Sequence, residues 1–211
     1  QIFIGQGVGY LGNAATNVSY PLTTICLALS LLIGIGSASR FSLSLGAGED
    51  DEAARVVGTG ICMMIVFGVL YAVIIELFLY PMLNAFGATS ENLSYAAAYS
   101  RIIALGMPFQ IITTSMSNLI RADGSPKYSM TCMLIGAILN TILDPIFIFV
   151  FHLGVAGAAW ATIIGQFFSF LAAILYVRRF KSIQLKREHI RMRLQDCLST
   201  ASLGMSNSLN Q

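Results

Sequence analysis

Five long runs of apolar residues, almost free of charge, constrain this chain more than any other feature. They cover about residues 18–39, 56–80, 95–120, 128–151 and 155–177. A helix needs about 20 apolar residues to cross the hydrocarbon core of a bilayer. The runs lack the alternation of polar and apolar residues that marks the strands of a membrane barrel. Helices then satisfy the backbone hydrogen bonds within lipid, so the sequence predicts an all-α polytopic membrane protein.

Composition supports this prediction and excludes some other classes of protein. Hydrophobic residues make up 56% of the chain and charged residues only 10%, whereas a soluble domain carries about 25% charged residues. A soluble fold of this length would therefore lack the polar surface to cover itself. The net charge of +2 is too small to indicate a nucleic-acid partner.

The basic residues predict the orientation in the membrane, because lysine and arginine concentrate in cytoplasmic loops. Eleven of the twelve fall on one side of the predicted helices, and Arg101 alone lies toward the other side. The eleven are Arg40, Arg55, Arg121, Lys127, Arg178, Arg179, Lys181, Lys186, Arg187, Arg191 and Arg193. We therefore expect a cytoplasmic linker over residues 181–196. Contact of this linker with anionic lipid headgroups and simple solvation of its charges both fit the pattern.

Strongly polar side chains within the apolar runs are the candidate functional residues, because burying them in lipid is costly. Asp144 lies within the fourth run, and Asn140 precedes it by four residues, on the same helix face. Pro145 removes a backbone donor and predicts a kink that frees carbonyl groups nearby. These groups suit a proton or Na⁺ site, and the alternative is a structural hydrogen bond between helices. Glu76 lies near the end of its run, so we expect it to reach the membrane interface.

The sequence offers little for an enzyme or a metal centre. It contains no nucleophile–base pair within the apolar runs and no C-x-x-C pair among its four cysteines. The G-x-G-x-x-G string at residues 7–12 has Leu32, not an acid, about 20 residues further on. We therefore expect no enzymatic activity, no cofactor and no bound metal other than a Na⁺ coupling ion.

Four strings together resemble a known family. They are 46–55 (GAGEDDEAAR), 119–127 (LIRADGSPK), 140–149 (NTILDPIFIF) and 154–162 (GVAGAAWAT). In this order and spacing they are similar to the amino-terminal lobe of the multidrug and toxic compound extrusion (MATE) family, over nearly the whole chain. The resemblance implies twelve helices in two six-helix lobes, of which this chain would be a fragment. Residues 1–180 would run from the end of helix 1 through helix 6, and 197–211 would begin helix 7.

The resemblance also implies an activity, a location and a set of site residues. The activity would be export of amphipathic, often cationic compounds by a monomeric antiporter in a prokaryotic cytoplasmic membrane. Asp144, Asn140 and Thr162 would bind the coupling ion, H⁺ or Na⁺, and Tyr99 would adjoin them in the substrate cavity. A first-helix acid that usually completes this site would lie before Gln1. Ion binding would neutralise Asp144 and bend the helix at Pro145, which would reshape the cavity.

Other interpretations stay open at the level of sequence. A flippase of lipid-linked oligosaccharide, from the same superfamily, would carry further basic residues inside the cavity to meet pyrophosphate. The apolar runs offer only Arg101, near an end. A non-transporting scaffold or channel subunit would leave Asp144 and Asn140 without an evident purpose.

Overall fold

The computed structural model describes residues 2–7, 9–190 and 194–209, and all regular structure within these ranges is helical. The predicted all-α class is confirmed. Short 3₁₀ turns follow the sixth helix and lie within the linker, at Val177–Arg179 and Arg187–His189. The helices are α1 (Ile2–Gly7), α2 (Tyr10–Gly46), α3 (Asp50–Ala85), α4 (Leu93–Ala122), α5 (Pro126–Pro145), α6 (Gly154–Tyr176) and α7 (Leu194–Leu209).

Five helices, α2 to α6, are long and apolar enough to cross a membrane. They extend beyond the apolar runs of the sequence at several of their ends. The 37 residues of α2 rise about 55 Å at 1.5 Å per residue, well beyond the hydrocarbon thickness of about 30 Å. The ends of this helix therefore stand outside the hydrocarbon core, where hydropathy gives no signal.

Gly9 interrupts the helix near the start of the chain, where we expected the end of a single helix. Gly9 has φ 80°, a left-handed conformation that favours glycine. As a result α1 ends at Gly7 and α2 already begins at Tyr10.

Helix α4 forms the centre of the bundle and packs against α2, α3, α5 and α6. Small polar residues mediate its contact with α2. The hydroxyl groups of Ser19 and Ser100 lie 2.8 Å apart, and Ser115 donates to the carbonyl of Ser30 at 2.7 Å. Small residues let helix backbones approach closely in membranes, and their hydrogen bonds add to the association. In contrast, α5 buries only Ser129 and Cys132.

A π-helical segment, Ile146–Val150, follows α5 directly. It begins after Pro145, which has no backbone N–H to donate. Its widened winding is visible in the bond from the Phe151 N–H to the carbonyl of Ile146, at 3.0 Å. Single π-helical turns within helices frequently lie at functional sites, and this one begins next to Asp144.

The linker after α6 is attached to the rest of the bundle through Asp123, which is only 4% exposed. Its Oδ2 accepts hydrogen bonds from the hydroxyl of Tyr176 at 2.7 Å and the backbone N–H of Lys181 at 2.9 Å. Its Oδ1 accepts one from the backbone N–H of Ser182 at 3.0 Å. Three donors thus satisfy one buried carboxylate. Arg191 and Arg193, predicted in this linker, lie outside the described residues.

Replacing Asp123 with alanine should release the linker. Hydrogen bonds to a charged group contribute about 1.5–3 kcal/mol each, so we expect the free energy of unfolding to fall by at least about 2 kcal/mol. Trypsin should then cleave at Arg178, Arg179 or Lys181 faster in inside-out vesicles. The exposed Asp50 offers a matched control, and equal cleavage of Asp123→Ala and Asp50→Ala would contradict the anchoring role.

Charged side chains attach the start of α7 to the same end of the bundle. Arg40 pairs with Glu52 on α3 and with Asp196 on α7, both at 3.0 Å. Further along, α7 lies so close to α2 that a Cβ on Gly36 would collide with the backbone of Thr200. The helix predicted for residues 197–211 therefore begins at Leu194 and packs against α2.

Candidate functional site

The structure brings Asp144, Asn140 and Thr162 together. Asn140 and Asp144 lie one turn apart on α5, and Thr162 faces them from α6. The amide nitrogen of Asn140 lies 3.3 Å from Oδ1 of Asp144 and 3.2 Å from Oγ1 of Thr162. Thr162 in turn donates to the carbonyl of Ala158 at 2.9 Å. A continuous hydrogen-bond chain therefore joins the carboxylate to α6.

These three residues line a small cavity of about 170 Å³, which we name the polar cavity. Tyr99, expected beside the cluster, contributes from α4. The remaining walls come from α1, α2 and α6 and include several hydroxyl groups. The residues that form these walls are Ile4, Thr16, Ser19, Tyr20, Thr23 and Ala158. A carboxylate, an amide and hydroxyl groups in one cavity between membrane helices are suited to a proton or a small cation.

A second cavity of about 210 Å³, which we name the amide pocket, lies between α4, α5 and α6. Its lining is mostly apolar, but the side chains of Gln110 and Gln166 meet there, with Nε2 of Gln166 donating to Oε1 of Gln110 at 2.9 Å. Oε1 of Gln166 and Oγ1 of Thr113 are buried and have no hydrogen-bond partner among the described residues. Buried polar atoms normally have a partner, so each oxygen would gain a hydrogen bond if its side chain turned toward a molecule bound in the pocket.

Asn140 and Thr162 line both cavities. No motif in the sequence indicates the amide pocket. Gln110 and Gln166 lie within predicted spans and are candidate functional residues for the same reason as Asp144, because an amide is also costly to bury in lipid. Their separation of 56 residues leaves no local pattern that would pair them.

Glu76 does not join this cluster. It lies near the end of α3 with a side chain 42% exposed, 3.9 Å from Arg101. The guanidinium of Arg101 also lies 5.7 Å from the ring centre of Tyr80. Within residues 2–7, 9–190 and 194–209, no ion pair includes Asp144. The same ranges hold no group of three or more His, Cys, Asp or Glu side chains that could bind a metal ion.

The hydroxyl group of Thr162 should affect the transport rate more than the size of its side chain does. Thr162→Val removes one of the two acceptors of the Asn140 amide, at about 0.5–1.5 kcal/mol, so we expect transport that depends on this cluster to slow several-fold. Thr162→Ser keeps the oxygen and should retain most of the rate. Initial rates in inside-out vesicles, at equal membrane abundance, distinguish the two variants. Equal rates in both would show that the hydrogen bond is unimportant.

Comparison with known proteins places this helical bundle in a family. The MatE family model matches residues 2–146, which is more than half of the chain. The chain therefore belongs to the MATE family, as its sequence motifs predicted. Family membership and the five long apolar helices identify a multi-pass membrane protein.

The chain is similar to curated bacterial proteins over most of its own length. It is 34% identical over 176 residues to the multidrug export protein MepA of Staphylococcus haemolyticus, covering 82% of this chain and 39% of that protein. It is 27% identical over 215 residues to the probable multidrug resistance protein YoeA of Bacillus subtilis, covering 98% of this chain and 46% of that protein. The chain thus spans less than half the length of these relatives.

Solved structures confirm the fold. A crystal structure of MATE in the bent conformation superimposes with a TM-score of 0.92 at 23% identity. The matched region covers 99% of this chain and 47% of the crystallised transporter. An inward-facing structure of a multidrug resistance MATE family transporter gives a TM-score of 0.91. The matched region covers 98% of this chain and 48% of that transporter. The helices of this chain therefore have the arrangement of about half of a MATE transporter.

Proposed function

We propose that this chain forms part of an ion-coupled antiporter that exports amphipathic, often cationic compounds across the cytoplasmic membrane. The observation that carries the proposal is the cluster of Asp144, Asn140 and Thr162 at the boundary between the polar cavity and the amide pocket. In this proposal the protein is a monomeric, secondary active transporter and not an enzyme. The names of two relatives, a multidrug export protein and a probable multidrug resistance protein, support it.

The ion half of the proposal rests on Asp144. A proton can bind its carboxylate directly and neutralise the charge. Na⁺ would bind oxygen atoms, and the cluster offers the carboxylate of Asp144, the hydroxyl of Thr162 and, after rotation, the amide oxygen of Asn140. In the present geometry Asn140 directs its nitrogen at both neighbours. Binding of Na⁺ by Asn140 would therefore require the amide to turn by about half a rotation, whereas protonation of Asp144 would not.

The substrate half rests on the amide pocket. Its apolar walls suit the body of an amphipathic compound, while Oε1 of Gln166 and Oγ1 of Thr113, both buried without a partner, can accept hydrogen bonds from an ammonium or other donor once their side chains rotate toward the pocket. Neutral oxygens interact favourably with a cation and need no fixed negative charge. A pocket of mostly apolar lining with a few converging polar groups is the usual form of a small-molecule site.

Coupling follows from the residues that both cavities share. An ion at Asp144 would change the hydrogen bonds of Asn140 and Thr162, and these side chains also form one wall of the amide pocket. The π-helical segment after Pro145 offers a place where α5 can change its winding. We infer that ion binding reshapes the amide pocket and lowers its affinity for the compound.

A lipid-linked oligosaccharide flippase is the alternative within the superfamily. Pyrophosphate would need cations inside the bundle. No lysine or arginine lines the polar cavity or the amide pocket in the described part of the chain. This arrangement favours a neutral or cationic substrate.

Ethidium efflux from energised cells tests the proposed function. Cells that express the gene encoding this chain should lose accumulated dye faster than vector controls, and an uncoupler should abolish the difference. Several cationic dyes should be compared because the substrate range is unknown. Absence of efflux for all of them, with the protein present in the membrane, would favour the flippase.

A further inference from the structure

An open cavity of about 620 Å³ lies where the cytoplasmic ends of α5 and α6 meet the linker. We propose that this cavity, which we name the interfacial site, binds the headgroup of an anionic phospholipid. The inference concerns a different end of the bundle from the ion cluster, and it does not depend on transport. It starts from the charges around the cavity.

Three basic residues line the interfacial site: Lys127 at the start of α5, Arg179 after α6, and Lys181 in the linker. None of them forms an ion pair with any other described residue. Arg40 and Arg55, in contrast, pair with carboxylates. Three unpaired cations around one cavity form a concentrated positive charge that attracts an anion.

The nearby acid Asp123 forms no ion pair with these cations. Asp123 precedes Lys127 by only four residues, yet it is buried and both of its oxygens accept hydrogen bonds. One of these bonds comes from the backbone N–H of Lys181, so Asp123 fixes the position of Lys181 beside the cavity while its charge remains internal. The carboxylate therefore helps to build the site without occupying it.

The other walls suit the glycerol and the first carbons of a lipid. Tyr128 and Tyr176 lie side by side with ring centres 4.9 Å apart, and Tyr128 is held by a bond to the carbonyl of Ala172 at 2.9 Å. Aromatic residues of this kind favour the headgroup level of a membrane. A free phosphate ion would not use this apolar surface.

An exposed apolar stripe continues from the site along α5. It consists of residues at intervals of four, each more than half exposed: Met130, Leu134, Ile138 and Ile142. Thr131, next to Met130, lines the site itself. A phospholipid would thus place its phosphate between the cations and its acyl chains along the stripe. The orientation predicted from the basic residues puts the site in the cytoplasmic leaflet, where anionic lipids concentrate.

Native mass spectrometry of the purified protein with added phosphatidylglycerol or phosphatidylcholine tests this inference. Wild type should retain phosphatidylglycerol in preference to phosphatidylcholine. The double variant Lys127→Gln/Arg179→Gln loses two basic side chains and should weaken phosphatidylglycerol binding by roughly 30-fold. Arg121→Gln/Lys186→Gln removes the same charge, from an exposed arginine on α4 and from a lysine that pairs with Glu188. This control should change binding by less than about threefold.

The charge-conserving exchange Lys127→Arg/Arg179→Lys should retain binding, which separates loss of charge from loss of folding. Three results would overturn the inference. Equal weakening by the two glutamine pairs would indicate a diffuse surface attraction. Equal retention of both lipids would show no preference for an anion. Displacement of phosphatidylglycerol by inorganic phosphate at similar concentration would indicate a phosphate site that takes no lipid.

Discussion

Asp144→Asn should reduce dye efflux to the level of cells that lack the protein, while its amount in the membrane stays close to wild type. The amide is similar in size to the carboxylate and keeps an oxygen that can accept the bond from Asn140, now 3.3 Å away. It cannot bind a proton in the working range of pH, and it lacks the charge that attracts a cation. The cluster should therefore remain assembled but lose its response to the ion.

The other acid within a predicted span provides the control. Glu76→Gln removes a carboxylate that is 42% exposed and lies 3.9 Å from Arg101. Pairs at that exposure contribute little, about 0–1 kcal/mol, so we expect efflux close to wild type. Equal loss of efflux in the two variants would indicate a general sensitivity to charge in the membrane. Retained ion-coupled efflux in Asp144→Asn would show that another residue carries the ion.

Gly165→Val should strongly destabilise the bundle. A Cβ at Gly165 would lie 2.7 Å from the carbonyl oxygen of Gly136 on α5, and backbone atoms cannot move aside as a flexible side chain can. Overpacking costs about 1–3 kcal/mol and sometimes more. Because Thr162 lies one turn away on the same face of α6, separation of the helices should also break its contact with Asn140.

The same substitution at an open position controls for the change of residue type. A Cβ at Gly46, at the end of α2, would have no atom within 4 Å, and valine there should be nearly neutral. Thermal melting in detergent, followed by size-exclusion chromatography, compares the two variants. A wild-type melting temperature for Gly165→Val would contradict the close crossing of α5 and α6.

The sequence predicts the spans better than their ends. Apolar runs indicate the five long helices, since lipid burial dominates their energetics. Proline does not end the helices that contain it: Pro21, Pro81 and Pro108 lie inside α2, α3 and α4, although proline is unfavourable in helix interiors. Its effect is local in α3, which has non-helical dihedrals at Phe78, three residues before Pro81. In membranes, neighbouring helices and local adjustments satisfy the freed groups.

The site is predictable only where its residues are close in sequence. The spacing of Asn140 and Asp144 places both on one helix face, and the structure shows them within 3.3 Å. Thr162 came from the family resemblance alone, because its distance from Asn140 along the chain leaves no periodic pattern. The pairing of Gln110 with Gln166 and the bonds from the linker to Asp123 depend on tertiary packing in the same way.

Purified protein in proteoliposomes tests the central claim, that ion flow and compound export are coupled. A gradient of H⁺ or Na⁺ is imposed, and the movement of a cationic dye and of the ion are both recorded. We predict that a gradient of one of these ions drives the dye against its own concentration gradient, and that added dye dissipates that gradient. Dye movement that is independent of both gradients, with no return flow of either ion, would contradict the antiporter.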